Sequence, residues 1–168
     1  MILSILFLIC FLPLASFADV ETTQLKHSVS VQLGINGAAG KKGSFGLQAI
    51  PPDLSYSYKL FDNNRYVFST SFFYDNISVQ LENMNFNYRF GQRVDLGYEM
   101  KDTLLYGTFG MGYMVMQKLS NSTSPVYGFG IVRDITTHLA IMSELNFQNI
   151  KSQTIINYSI GVIYSFDL

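Results

Sequence analysis

The sequence predicts an all-β fold built from eight antiparallel strands, and three observations lead to this prediction. Apolar and polar residues alternate with a period of two in eight segments of the 168-residue chain, as the two faces of a strand require. After Asp19 no segment sustains the helical period of about 3.6 residues. The connections between the eight segments alternate between short and long, which is typical of an up-and-down meander.

Residues 1–18 form an apolar run that precedes the first predicted strand. The run ends in Ala-Ser-Phe-Ala, and the small residues Ser16 and Ala18 match the pattern that signal peptidase cleaves. We therefore expect residues 1–18 to be a cleaved signal peptide, with a retained membrane anchor as the alternative, and residues 19–26 to be a short N-terminal lead. The single cysteine, Cys10, lies in this run, so the mature chain would contain no disulfide and no reactive thiol.

Each predicted strand has one largely apolar face. In the last strand, Tyr158, Ile160, Val162, Tyr164 and Phe166 share one face, whereas the opposite face is mostly small or polar. The fourth strand repeats this pattern, and the fifth is ambiguous because both of its faces hold apolar residues. The eight predicted strands cover residues 28–36, 54–61, 65–74, 84–100, 104–116, 126–132, 138–147 and 152–168.

The predicted connections place short turns at one end of the sheet and longer loops at the other. Short turns are expected at 62–64, 101–102 and 133–137. Longer loops are expected at 37–53, 75–83, 117–124 and 148–152. Because the number of strands is even, the start of the first strand and the end of the last strand both lie at the short-turn end.

The composition indicates which face meets water. Charged residues make up 14% of the chain against a usual share of about 25%, and aromatic residues reach 15%. The polar faces consist mainly of Gly, Ser, Asn and Thr, which suit the crowded interior of a narrow barrel better than a solvated surface. We therefore predict a closed eight-stranded antiparallel up-and-down transmembrane β-barrel over residues 27–168, with its apolar face in lipid. The formal net charge of −1 argues against nucleic acid as a partner.

Six charged side chains fall on the polar faces within strands, and their charges sum to zero, as expected of paired groups inside a closed lumen. From strand direction we expect Arg89 to lie at the depth of Glu144, and Lys59 at the depth of Glu99. Aromatic residues near the strand ends would form two interfacial girdles. The predicted lumen network is Lys59, Arg89, Arg93, Asp95, Glu99 and Glu144. The predicted girdle residues are Tyr66, Tyr74, Phe86, Tyr98, Tyr127, Phe147, Tyr158 and Phe166.

Two segments, "YGFGIVRDITTHLAIMSELNF" and the closing "IGVIYSFDL", carry a family resemblance. Over residues 27–168 the chain resembles the small OmpA- and OmpX-type outer-membrane β-barrels of Gram-negative bacteria. The resemblance implies a location in the bacterial outer membrane, lipid as the surrounding partner, and engagement of the outer-membrane assembly machinery during biogenesis. Members of that family usually end in Phe, whereas Leu168 ends this chain and Phe166 lies two residues earlier, so the assembly signal departs from the usual form.

The functional prediction is a structural and surface-presenting barrel, with loop-mediated adhesion as the most specific activity. The first long loop holds a basic and apolar group, Lys41, Lys42, Phe45 and Leu47, which could bind a host or envelope protein. We favour the simpler interpretation that this loop extends the strands beyond the membrane. A narrow porin and a secreted soluble β-barrel for an apolar ligand are the alternatives. We predict no enzyme, no cofactor and no metal site, because neither histidine falls in a long loop and the mature chain has no cysteine.

Overall fold

The computed structural model describes residues 26–39, 45–49, 52–63, 65–81, 84–117, 120–150 and 153–167. Residues 1–25 and Leu168 lie outside the described residues, so the signal peptide and the effect of the terminal leucine stay predictions. The strands are β1 (His27–Ala39), β2 (Phe45–Ala49), β3 (Asp53–Asp62), β4 (Tyr66–Leu81), β5 (Met84–Met100), β6 (Thr103–Gln117), β7 (Ser122–Asp134), β8 (Leu139–Ile150) and β9 (Gln153–Phe166). In the described ranges, no helix is long and apolar enough to span a bilayer.

The strands form one closed antiparallel barrel. Successive strands from β3 to β9 pair with their neighbours, and β1 pairs with β9 along its whole length, from His27 opposite Phe166 to Ala39 opposite Thr154. On its other edge β1 pairs with β3 near its start and with β2 near its end, so β2 and β3 together occupy one strand position in the barrel wall. The described part of the wall therefore has eight strand positions, as the sequence predicts, and the pairing of β1 with β9 closes it.

One end of the barrel is closed by tight turns, and we call it the turn end. Between β3 and β4, the side-chain Oδ1 of Asn63 accepts a hydrogen bond from the backbone N–H of Tyr66 at 2.9 Å. Between β5 and β6, Lys101 adopts a left-handed backbone conformation with φ of 57°, which reverses the chain over two residues. At the opposite end, which we call the loop end, the chain passes between β4 and β5, β6 and β7, and β8 and β9.

The connections at the loop end are shorter than the sequence predicts. Strand β4 continues to Leu81 and β5 begins at Met84, so most of the loop expected at 75–83 is paired strand. Likewise β1 extends to Ala39 and pairs with β2, inside the connection expected at 37–53. The sequence predicts loops in these segments because their polar residues do not follow the two-residue alternation that marks the membrane-spanning strands. They nevertheless satisfy their backbone groups by continuing the ladder.

A β-bulge in β5 reverses the orientation of one predicted girdle residue. Tyr88 pairs with Val115 and Phe86 pairs with Met116, so Asn87 is an extra residue on β5. A bulge inserts one residue and thereby moves the side chains beyond it to the other face. Phe86 therefore points into the barrel, where it is 1% exposed, and its prediction as an outer girdle residue is wrong.

Candidate functional site in the barrel interior

The outer face of the barrel is covered with large apolar side chains. Leu96 is 64% exposed and Leu33 is 61% exposed, although both are aliphatic. Among the residues predicted to face lipid, Ile160, Val162 and Tyr164 are exposed. A surface of this kind is unstable in water and suits a hydrocarbon surrounding. Further exposed apolar residues are Val31, Leu54, Phe72, Phe90, Val94, Leu105, Phe109, Met111, Phe129 and Ile141.

Two other members of the predicted lipid-facing set are less accessible. Tyr158 lies opposite Ile35 and Leu145 on the outer face by register, yet it is only 8% exposed. Its hydroxyl is hydrogen-bonded to Ser143 Oγ at 3.2 Å, so the ring lies along the wall and the polar groups satisfy each other. Phe166 is half-buried and stacks against His27 with the ring centroids 5.7 Å apart.

Aromatic pairs mark two levels on the outer face. Near the loop end, the rings of Tyr74 and Tyr88 lie 5.6 Å apart, and those of Tyr127 and Phe147 lie 5.7 Å apart. Near the turn end, Tyr66 and Tyr98 meet edge to face at 5.4 Å. Tyrosine has an apolar body and a polar tip, so two such levels are the arrangement expected at the two interfaces of a bilayer.

Inside the barrel, Arg93 and Glu144 form a bidentate ion pair. Arg93 Nη1 donates to Glu144 Oε1 at 2.7 Å, and Arg93 Nη2 donates to Oε2 at 2.8 Å. The same carboxylate accepts hydrogen bonds from the hydroxyl of Tyr106 at 2.5 Å and from the side-chain amide of Asn146. Both partners are at least 96% buried, so this ion pair is largely removed from water and its carboxylate is well supplied with hydrogen-bond donors.

A second ion pair lies closer to the loop end. Arg89 is completely buried, and its Nε donates to Asp75 Oδ2 at 2.7 Å. Arg89 precedes Arg93 by four residues on β5, which corresponds to about 13 Å along the strand. The ring of Phe73 fills the space between them, with its centroid 5.6 Å from the Arg89 guanidinium carbon and 5.5 Å from that of Arg93.

The charge pairs differ from those that strand direction predicts. We expected Arg89 to reach Glu144, but Arg89 pairs with Asp75 and Glu144 pairs with Arg93. The barrel strands are staggered, so equal distance from a strand end does not mean equal depth. Lys59 and Glu99, which we expect at similar depth, both line the interior near the turn end, and Lys59 Nζ also pairs with Asp62 at 2.9 Å across the bulge at the end of β3.

An apolar cluster that the sequence pattern does not predict caps the interior at the loop end. Its members are buried inward-facing residues beyond the Arg89 layer, and Phe86 enters the cluster through the bulge in β5. The loop end projects beyond the bilayer, where water surrounds the barrel wall, so burying apolar side chains in its interior is favourable there. In the sequence, this cluster is indicated only by apolar residues on the mostly polar, inward faces of the last strands. The cluster consists of Ala38, Ile77, Phe86, Met114, Met116, Ile150 and Ile155.

Two glycines leave room for the interior polar groups. A Cβ atom at Gly130 would lie 2.5 Å from the ring of Tyr106, which is the neighbour of Gly130 across β6 and β7. A Cβ atom at Gly112 would lie 3.1 Å from Gln148 Nε2, which donates to the backbone oxygen of Gly112 at 2.9 Å. The small residues on the polar face therefore make space for the few large interior side chains.

Between the Arg93 cluster and the turn end, the interior opens into a cavity of about 350 Å³. We call this cavity the vestibule. Its wall contains the hydroxyl groups of several serines, and Lys59 and Glu99 also line it. The lining serines are Ser28, Ser30, Ser55, Ser57, Ser69 and Ser165.

The predicted loop site falls largely outside the structural description. Lys41 and Lys42 lie outside the described residues, and of Phe45 and Leu47 only the backbone in β2 is described. The two histidines lie on the outer face at the turn end. His27 Nδ1 is 2.7 Å from the hydroxyl of Tyr56, and the His138 ring is 6.1 Å from that of Tyr164.

Several solved structures share this architecture. Ail, the attachment invasion locus protein of Yersinia pestis, is 15% identical, with a TM-score of 0.64 over 86% of this chain and 100% of Ail. Neisserial surface protein A is 16% identical, with a TM-score of 0.59 over 83% of this chain and 97% of that protein. The fold is that of the small outer-membrane β-barrels.

Another outer-membrane β-barrel, OprG from Pseudomonas aeruginosa, is 12% identical and covers 89% of this chain, with a TM-score of 0.53. No protein-family model and no curated protein matches the sequence. The likeness to outer-membrane β-barrels therefore concerns the fold. The interior of this particular barrel has its own order from the loop end to the turn end: apolar cap, Arg89–Asp75 layer, Phe73, Arg93–Glu144 cluster, vestibule.

Proposed function

We propose that this chain is an integral protein of the bacterial outer membrane whose role is structural and surface-presenting. The observation that carries the proposal is the inversion of the barrel, with exposed apolar side chains outside and paired charges inside. In this arrangement the turn end faces the periplasm and the loop end faces the exterior. Outer-membrane lipid is then the main partner, and the assembly machinery handles the chain during insertion.

The described interior favours a closed barrel over a pore. An ion crossing the lumen would meet the Arg93–Glu144 cluster, then the ring of Phe73, then the Arg89–Asp75 pair and finally the apolar cap. Each layer consists of buried side chains that contact one another, and an eight-stranded wall encloses little more than these side chains. We therefore expect no steady conductance when the purified protein is inserted into a planar lipid bilayer. Reproducible unitary currents would instead support the porin alternative.

The loop end supports a surface-presenting role because its strands continue beyond the outer aromatic level. Strand β4 extends seven residues past Tyr74, to Leu81, and remains paired with β5. The apolar cap stiffens this projecting part from within. A rigid projection of this kind can display the intervening connections to a partner without a large ordering cost. We propose adhesion through the connection that contains Lys41 and Lys42.

A pair of charge-matched variants tests the adhesion proposal. Cells displaying the wild-type chain would be compared with cells displaying Lys41→Ala/Lys42→Ala for attachment to a surface coated with heparin, a polyanionic probe. The control variant is Lys26→Ala/Lys101→Asn, which removes the same charge at the turn end, and asparagine tolerates the left-handed backbone at 101. We expect attachment to fall only for the first variant. Equal attachment of all three strains would contradict a role for this connection.

Membrane integration is tested separately by washing membranes at high pH in carbonate. The chain should stay in the pellet, and its mobility in a gel should change on boiling, because a closed barrel resists detergent until it is heated. Release into the supernatant would instead support the secreted soluble barrel.

A further inference from the structure

A polar pair interrupts the apolar outer surface of the barrel on β4 and β5. Side chains of a strand alternate between its two faces, and Thr70 and Gln92 both occupy the outward phase. Gln92 is exposed, and its neighbours directly across the two adjoining strands are Phe72 and Met111, which are exposed as well. The amide of Gln92 therefore stands among large apolar side chains on the surface that faces lipid.

Gln92 lies within the hydrocarbon layer of the proposed membrane. On β5 it is four residues from Tyr88, which belongs to the aromatic level near the loop end, and six residues from Tyr98, which belongs to the level near the turn end. These separations correspond to about 13 Å and about 20 Å along the strand. Because the strands of such barrels are tilted by about 40°, the amide lies about 10 Å below the outer aromatic level.

The barrel itself leaves part of the hydrogen-bonding capacity of Gln92 unused. Its Nε2 donates to Thr70 Oγ1 at 3.2 Å, and the Thr70 hydroxyl donates in turn to the backbone oxygen of Arg93 at 3.2 Å. Thr70 is thereby satisfied, whereas the Oε1 atom and the second Nε2 hydrogen of Gln92 make no hydrogen bond to the described residues. Polar groups without a partner are costly in hydrocarbon, because lipid tails cannot replace the hydrogen bonds of water.

The same face of the barrel permits a close approach. Gly107 on β6 is exposed, and a Cβ atom added there would have its nearest described neighbour, the backbone oxygen of Gly128, at 3.9 Å. The exposed side chains of Leu96 and Phe129 stand on either side of this recess, about 13 Å from Gln92 along β5. Small residues that allow close approach and polar side chains that hydrogen-bond across the contact are the two features that favour association within a bilayer.

We propose that the outward side of β4, β5 and β6 is an interface between two copies of this chain in the outer membrane. A two-fold axis along the membrane normal would bring the Gln92 side chains of both copies together at one depth. An amide group carries a donor and an acceptor, so two such groups complete each other's hydrogen bonds, which lipid tails cannot do. The inference rests on the membrane location proposed above and does not depend on the adhesive connection at the loop end.

Energy transfer between labelled copies in phospholipid vesicles tests the association. In a Cys10→Ser background, Ser120→Cys at the loop end provides the only thiol for a donor or an acceptor dye. Both labelled forms would be inserted at low protein density, and flotation of the vesicles would verify insertion. We expect energy transfer above the level of random encounters. Gln92→Leu should weaken the association roughly tenfold, because it removes both hydrogen bonds between the copies.

Two further variants separate the amide from the surrounding surface. Val94→Leu, at the next outward position on β5, exchanges one apolar side chain for another and should leave the energy transfer unchanged. Gln92→Asn keeps an amide and should retain most of the association. Equal transfer with and without Gln92→Leu, or transfer no greater than random encounters in floated vesicles, would overturn the proposal. Absence of the chain from the floated vesicles would instead refute the membrane location itself.

Disulfide cross-linking locates the interface. In the Cys10→Ser background, Phe72→Cys places a thiol directly opposite Gln92, whereas Ile141→Cys places one on β8, on the other side of the barrel. Oxidation in vesicles should give a covalent dimer with Phe72→Cys and little with Ile141→Cys. Equal yields, or a dimer with Ile141→Cys alone, would contradict an interface on β4, β5 and β6.

Discussion

The substitution Glu144→Ala tests whether the interior ion pair stabilises the barrel. The carboxylate of Glu144 accepts four hydrogen bonds: two from Arg93, one from the hydroxyl of Tyr106 and one from the amide of Asn146. Alanine removes the acceptor of all four while the donors stay in the closed lumen. Arg93 keeps a carboxylate neighbour, because its Nε lies 3.5 Å from Asp95 Oδ1 and the two groups can move closer together.

The expected cost follows from the orphaned donors. At about 1 kcal/mol for each lost hydrogen bond, four bonds give a loss of about 4 kcal/mol in the free energy of unfolding. This figure agrees with the roughly 3–5 kcal/mol measured when one partner of a buried ion pair is removed. Arg93 lines the vestibule and can be hydrated from there once Glu144 is removed, so we place the value towards the lower part of that range.

Equilibrium unfolding in urea, with the protein inserted in phospholipid vesicles, measures this change. Glu144→Gln serves as the conservative control, since it retains an acceptor oxygen and should lose about half as much stability. The double variant Glu144→Ala/Asp95→Asn should lose more than the two single variants together, because Arg93 then has no carboxylate partner. A loss below about 1 kcal/mol for Glu144→Ala would refute the inference that this cluster is desolvated.

Three further substitutions test other parts of the structure. Val162→Arg should lower the free energy of unfolding in vesicles by roughly 2–4 kcal/mol, because this side chain would face hydrocarbon, whereas Ser120→Arg at the loop end should change it little; equal costs would contradict the outward assignment. Gly130→Ala should cost roughly 1–3 kcal/mol in the same assay, because the added methyl group displaces the tyrosine ring beside it, and an unchanged value would contradict that contact. Phe86→Ala should lower the free energy of unfolding by roughly 3–5 kcal/mol and Phe90→Ala clearly less, since the first ring is buried in the cap and the second faces outward. The opposite order would contradict the inward position that the bulge in β5 gives Phe86.

The sequence by itself determined the fold class and the face that meets lipid. The period of two in the closing strand places Ile160, Val162 and Tyr164 on one face and mostly small or polar residues on the other, and the structure exposes these three side chains on the outside of the barrel. Such a pattern is local, because successive side chains of a strand point to opposite faces whatever the rest of the chain does. The scarcity of charge on the polar faces then indicates a lumen and not a solvated surface.

Only the tertiary structure decided which interior groups meet. The partner of Arg89 depends on the stagger of the strands around the closed barrel, which no single segment encodes, and so the expected pairing with Glu144 was wrong. The position of Phe86 depends on one extra residue in β5, which changes the phase of every side chain beyond it. Alternation is a property of one strand, whereas depth and pairing are properties of the closed sheet.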